Sequence, residues 1–294
     1  MADFRGDQAA GLRRLFGRPQ LRVVTFVAGS VGVGKSVAVA NLAASLAALG
    51  REVLVVDENA KVNVAAYFGA VARYDLQQVI DRQKMLSEVI VSVAKGVRVL
   101  PAARVVSQLA SLSAAEQGTL LESFGDIGRP ADVVLVDTSL DHPLGFSPLA
   151  LAAQEAVIVV APNGASITEA YALIKKVSLA YARRHFRILV NKARTASEAQ
   201  AVHDNIAEVT QSRRLARLDY AGYVPLDEQL RQASRLCQPV VGLFPESPAA
   251  RAYQAVAGEL LAWPTAGAQL GGLEHFMQQL LHLSQRMDPA AIYA

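Results

Sequence analysis

Residues 29–36 read GSVGVGKS, directly after the apolar run RVVTFV (22–27). The spacing of Gly29, four residues, then Gly34-Lys35-Ser36 is that of a phosphate-cradling loop, and a strand before it with a helical run after it is the context that such a loop needs. Its glycines let the backbone curl so that successive N–H groups point inward, and the helix N-terminus adds the positive end of its dipole. Lys35 can then reach β and γ phosphates, and Ser36 can ligate Mg²⁺. Gly29, Gly32, Gly34, Lys35, Ser36 and Val37 are therefore the expected nucleotide-binding residues of this segment. The helical run covers residues 35–49 and is closed by Gly50, where a helix C-cap would sit.

Working outward, six further short apolar runs resemble RVVTFV: EVLVVD (52–57), GVRVLP (96–101), DVVLVD (132–137), AVIVVAP (156–162), FRILVN (186–191) and YAGYVP (220–225). They are rich in β-branched residues, bounded by turn residues or charges, and separated mostly by segments of helical spacing. Strands alternating with helices predict a doubly wound α/β fold with a mostly parallel sheet, helices on both faces and ligands at the carboxyl ends of its strands. Asp57 and Asp137 each end such a strand. Asp137 is placed as the Walker B carboxylate of the Mg²⁺ shell; Asp57, Asp137 and Lys35 are the expected catalytic constellation, and Ser36, Asp57 and Asp137 the expected metal ligands. Helix capping is the other reading of a strand-end aspartate.

Composition narrows the function. The 294 residues and 52% apolar content support a sizeable core. The formal charge of +3 is only mildly basic, with Lys and Arg spread along the chain, so a nucleic-acid partner is not implied. A single cysteine, Cys237, excludes an internal disulfide framework, fits a reducing cytoplasm and reads as a small apolar side chain in or near the core. The richest apolar segment, VAVANLAASLAAL (37–49), is too short to span a bilayer and carries Asn41 and Ser45. The N-terminus lacks a signal-type apolar region, so the chain reads as a soluble cytoplasmic protein. The five histidines show no metal-ligand spacing, and Trp263 reads as core or rim.

Three regions emerge: residues 1–20, a nucleotide-binding domain over 21–264, and residues 265–294, in which the linker TAGAQLGG precedes a helical segment. That segment places Leu273, Phe276, Met277, Leu280, Leu281 and Met287 on one face. Its polar face offers only Arg286, His275 and His282 against Glu274 and Asp288, so apolar burial must supply nearly all of its binding. Packing on protein and peripheral contact with the inner membrane are both open to it. At the other end, Asp7 suits a helix N-cap, with Leu12, Leu15 and Phe16 as an apolar stripe beside Arg13 and Arg14. On its residues alone, this could be a flexible tail or a helix packed on its own domain.

The order of phosphate loop, VVDEN, LPAA, VVLVDTS, SITEAYALIK (166–175), VNK and GYVPLDEQLRQA resembles the MinD/ParA family of deviant-Walker ATPases along nearly all of residues 20–262. The segment DQAAGLRRL (7–15) is similar to the N-terminal DQAxGLR element of that family's flagellar-number regulators, the FlhG/FleN branch. The resemblance implies ATP/ADP and Mg²⁺ as ligands. It makes Asn191 the adenine-reading residue, and a strand-end amide can pair with both N6–H and N7 of adenine. It makes Asp7, Gln8, Ala9, Leu12 and Arg13 the contacts to an FlhF-like signal-recognition-type GTPase whose hydrolysis the element stimulates. It also points to flagellar C-ring or transcriptional-regulator partners and to an ATP-dependent homodimer.

Two departures from the family pattern bear on chemistry. The signature lysine of KGGxGK[ST], which reaches the partner's nucleotide across an ATP-sandwiched dimer, is Ser30 here, and the next glycine is Val31. The second carboxylate of the DxD switch, which orients the attacking water, is Asn59. Charge supplied in trans to a phosphoryl transition state is worth roughly 10³ to 10⁵ in rate, and a hydroxyl does not replace it. The expectation is a nucleotide-dependent regulatory switch with weak or absent hydrolysis. An active ATPase cycling between monomer and dimer, with Lys61 or a partner group replacing the missing cation, and a ParA-like partitioning factor are the alternatives.

Overall fold

The computed structural model describes residues 21–125, 130–140, 146–264 and 273–284. Residues 1–20 with the DQAAGLR element, and Arg286, Met287 and Asp288, lie outside the described residues. Strands β1 (Arg22–Val27), β2 (Val53–Asp57), β3 (Val91–Ala94), β4 (Val97–Pro101), β5 (Val133–Asp137), β6 (Glu155–Val160), β7 (His185–Ala193) and β8 (Arg217–Pro225) form one sheet in the order β3-β4-β2-β5-β1-β6-β7-β8. Every pairing is parallel except β3 with β4. β2, β5 and β6 are buried at every position, as continuous apolar runs covered on both faces must be.

Side-chain alternation sorts the core into layers. Val53 and Val55 of β2 face one side, where helices α1 (Lys35–Ala48) and, near the C-terminus, Pro248–Ala262 pack. Leu54 and Val56 face the other side, against α2 (Ala114–Gly125) and α3 (Pro148–Ala152). On that same side, α4 (Gly164–Tyr181) and α5 (Ala196–Ser212) cover β6 to β8. The helix Pro248–Ala262 is α6. The expected doubly wound α/β fold is thus the one present.

Three details differ from the sequence reading. β3 lacked a strand signal because it has only four residues, alternates between half-buried and exposed, and joins β4 antiparallel through Lys95 and Gly96. Strand ends also shift: β8 begins at Arg217, three residues before YAGYVP. Cys237 is exposed rather than near the core: it takes a left-handed backbone (φ 53°) in the turn that ends the helix Glu228–Arg235, which directs its side chain outward. The C-terminal helix, α7 (Leu273–Ser284), lies against α2 and α3 and buries Phe276, Met277, Leu280 and Leu281 on its own domain. At about 1.5–3 kcal/mol for each fully buried apolar side chain, these four contribute substantially to holding the helix on the domain. Trp263 is buried, and the Arg187 guanidinium lies 4.2 Å from the centre of its ring.

Register brings the strand-end carboxylates together. Asp57 pairs with Asp137 across β2 and β5, and Phe26 of β1 pairs with Asp137 on the other side. The loop leaving β1 therefore opens directly above two carboxyl groups.

Candidate functional site

The loop between β1 and α1 keeps its shape through close approaches that only glycine permits. A Cβ on Gly29 would sit 2.4 Å from the backbone carbon of Glu169 in α4, so the loop can lie directly on that helix. Gly34 is the N-cap of α1 with φ 88°, and a Cβ there would meet Asn191 Nδ2 at 2.4 Å. Gly32, Gly34, Lys35, Ser36 and Val37 line a cleft of about 480 Å³, together with Ser30, Glu58, Asn59, Lys61 and Tyr67.

Lys35 is buried. Its ammonium makes a short contact with Asp137 Oδ1 and donates to the Thr138 carbonyl at 2.6 Å. Asp137 and Asp57 lie behind the cleft wall, both fully buried. Asp57 tethers the turn that follows its strand without capping a helix, since the cap of the short helix Val64–Phe68 is Asn63. Asp57 Oδ1 accepts the Asn59 N–H (2.8 Å) and its Oδ2 accepts the Val64 N–H, which ties down the turn over residues 57–64 while the carboxyl stays beside Asp137.

Asn59 occupies the centre of the pair. Its Nδ2 donates to Asp57 Oδ1 at 2.8 Å and to Asp137 Oδ2 at 2.8 Å, so an amide bridges the two carboxylates. Burial, and then the neighbouring Asp137 charge, push the Asp57 carboxyl above the usual carboxylate range against those donated bonds. An aspartate at 59 would set a third carboxylate against these two. The amide supplies donors there instead.

Asn191 is buried and does not line the cleft. Its Nδ2 donates to the Val33 carbonyl (2.7 Å) and its Oδ1 accepts the Lys192 N–H (3.0 Å), so in this structure the amide grips the phosphate loop and both of its ends are engaged. Lys192 adds a second grip, with Nζ donating to the Gly32 carbonyl at 2.6 Å. Gly29 likewise supports the loop from behind.

Two residues of this site escaped the sequence reading. Lys192 adjoins Asn191 in VNK, and its role depends on a left-handed backbone (φ 64°) that turns it back to the loop. Glu58 is buried at the cleft floor, accepting from Ser147 Oγ (2.5 Å) and the Ser139 N–H (3.0 Å). Burial raises its carboxyl to about 7 despite both donors. The only available signal was an acid directly after Asp57.

Among the described residues, no group of three or more His, Cys, Asp or Glu is arranged to hold a metal ion. A divalent cation here would need oxygens from a phosphate ligand beside Ser36 and the strand-end carboxylates. No described helix is long and apolar enough to cross a membrane.

The family model for the CobQ/CobB/MinD/ParA nucleotide binding domain matches residues 24–240. The chain is 34% identical to the antiactivator FleN of Pseudomonas aeruginosa, over 89% of this chain and 94% of FleN. It is 25% identical to the flagellum site-determining protein YlxH of Helicobacter pylori, over 88% of this chain and 90% of YlxH. In fold, it is similar to the septum site-determining protein MinD of Pyrococcus horikoshii solved with Mg-ADP, with a TM-score of 0.60 and 22% identity over 84% of this chain and 99% of MinD. The loop on β1, the paired strand-end carboxylates and these matches agree: the chain belongs to the CobQ/CobB/MinD/ParA nucleotide-binding family.

Proposed function

We propose that the protein is a nucleotide-dependent regulator of flagellar number and placement that holds ATP with Mg²⁺ and hydrolyses it slowly or not at all. The family and the cleft lined by the phosphate loop support a nucleotide ligand, and ATP is the member of that class the reading takes. The likeness to FleN and YlxH supports the flagellar role. The observation that carries the slow turnover is the Asn59 amide between Asp57 and Asp137. It fills with hydrogen-bond donors the place where a carboxylate would accept a proton from attacking water. The loop's Ser30 is an uncharged hydroxyl at the cleft and stabilises no transition-state charge in trans.

In this reading Lys35 and Ser36 take the phosphates and Mg²⁺, with Asp57 and Asp137 behind the metal. Asn191 and Lys192 hold the loop in shape, and Asn191 reaches adenine only by releasing Val33. Output passes through residues 1–20, with Asp7, Gln8, Ala9, Leu12 and Arg13 as contacts to an FlhF-like GTPase.

The test is ATP affinity and hydrolysis rate on one purified sample. Binding with slow turnover is expected, Lys35→Ala should abolish binding, and Ser30→Lys with Asn59→Asp should raise the rate more than either change alone. A wild-type rate equal to that of actively cycling family members overturns the holding role. A chain lacking residues 1–20 should keep its nucleotide affinity and lose GTPase stimulation; equal stimulation by both forms removes the activator role.

A further inference from the structure

The cleft is short of positive charge. Glu58 lies at its floor and the carboxyl groups of Asp57 and Asp137 lie behind its wall, all three buried, and the one buried cation among them, Lys35, is already engaged by Asp137 and the Thr138 carbonyl. A nucleoside triphosphate with one divalent cation still brings net negative charge to this floor. Further cations must then face the phosphates, since uncompensated charge in a partly buried site is costly.

Lys61 lines the same cleft. It is exposed, and among the described residues it has no ion pair and no hydrogen bond. The cleft's other lysine, Lys35, lies under the loop, so Lys61 is the lining cation left to meet a ligand. Its backbone is also anchored. The turn that carries it is fixed at both ends by Asp57, through the N–H groups of Asn59 and Val64.

We propose that Lys61 is a triphosphate-binding residue that supplies, from within the same chain, the positive charge on the terminal phosphate, so that one copy of the protein forms a complete triphosphate site. This rests on the nucleotide-holding reading above and adds to it a regulatory consequence: loading with triphosphate does not wait for a second copy. An exposed ammonium adds affinity without orienting water, which is compatible with slow turnover.

The test is calorimetry with the non-hydrolysable analogue AMPPNP and with ADP, both with Mg²⁺, on wild type, Lys61→Gln and Lys61→Arg. Sedimentation velocity follows the oligomeric state. Lys61→Gln should weaken AMPPNP roughly tenfold, the scale of one charge-assisted hydrogen bond, and leave ADP nearly unchanged. Lys61→Arg should restore most of the loss, and wild-type AMPPNP affinity should stay constant over a tenfold range of protein concentration with the protein sedimenting as a monomer. Equal AMPPNP affinity in wild type and Lys61→Gln, equal losses for AMPPNP and ADP, or an affinity that rises with protein concentration overturns the proposal while leaving the holding role intact. Failure of wild type to bind either nucleotide overturns the nucleotide-holding reading itself. Because the side chain is exposed, a thermal melt matching wild type is expected for both variants, and it assigns the affinity change to the cleft.

Discussion

The sheet carries a charge cluster at each end, and the two are built on opposite terms. At the amino ends of β6, β7 and β8, Glu155 accepts from Arg187 Nε at 2.9 Å, and Asp219 receives Arg217 Nε at 3.0 Å and His185 Nε2 at 2.8 Å. Arg187 also stacks on Trp263. Burial alone would raise Asp219, but the bonds from His185 and Arg217 hold its carboxyl below the ordinary value. At the carboxyl ends of β1, β2 and β5, three buried carboxyls face a single buried lysine, and the Asp57 and Glu58 carboxyls are pushed up. Charge balanced within the protein stabilises the fold. Charge left unbalanced within the protein awaits a ligand, which is why displaced pKa values collect at binding sites.

The balanced end should give the largest loss when opened. Arg187→Ala removes the hydrogen-bond partner of buried Glu155, leaving it the charges of Arg22 and Arg183, and uncovers Trp263, and urea unfolding should register a loss of about 3–5 kcal/mol. A loss under about 1 kcal/mol would mean that the cluster at this end is no more than a surface pairing. At the nucleotide end, Asn59→Asp replaces the bridging amide with a third carboxylate. We expect a destabilisation of about 1–3 kcal/mol in chelator, relieved in part by Mg²⁺, when melting is followed with and without the ion. Identical melts for the variant and wild type would remove the amide bridge as a stabilising element.

Glu58 sharpens the contrast through pH. Its folded value, about 7, lies above its ordinary 4.5. Its contribution is therefore fully present below 4.5 and is lost as pH rises through about 7, because ionising a buried carboxyl opposes folding. The part of stability due to this group should fall by up to about 1.4 kcal/mol per pH step of one within that window, and Glu58→Gln should flatten the slope. A slope equal in both proteins would assign the pH dependence elsewhere. The smallest effect belongs to the exposed edge of the balanced cluster, where Arg217 is 79% exposed. Arg217→Ala should cost less than about 1 kcal/mol in the same urea experiment, and a loss matching Arg187→Ala would show that the cluster acts as one unit.

Much of this was legible in the chain itself. The local pattern of β-branched runs separated by helical spacing determined the doubly wound α/β class, because a strand buried on both faces has to be continuously apolar. GSVGVGKS determined the phosphate loop, since its glycines answer backbone requirements that hold wherever the loop occurs. Asp57 and Asp137 were visible as strand ends, and Ser30 and Asn59 as departures from the family pattern. The four-residue β3 was not legible, because a short edge strand with one side in solvent carries almost no periodic signal. Nor was the exposure of Cys237, which depends on a left-handed turn.

Which groups meet was settled by packing between distant parts of the chain. Register set Asp57 beside Asp137, and that pairing gave the Asn59 amide two carboxylates to bridge. The approach of β7 to the loop set the amide of Asn191, the expected base reader, against the Val33 carbonyl. The packing of α7 on α2 and α3 buried Phe276, Met277, Leu280 and Leu281, four residues of the apolar face that the sequence left open between protein and membrane. Residue type and spacing specify local conformation through short-range sterics and hydrogen bonding. The partner of a charge or an amide depends on strands and helices distant in sequence, and only their packing brings those together.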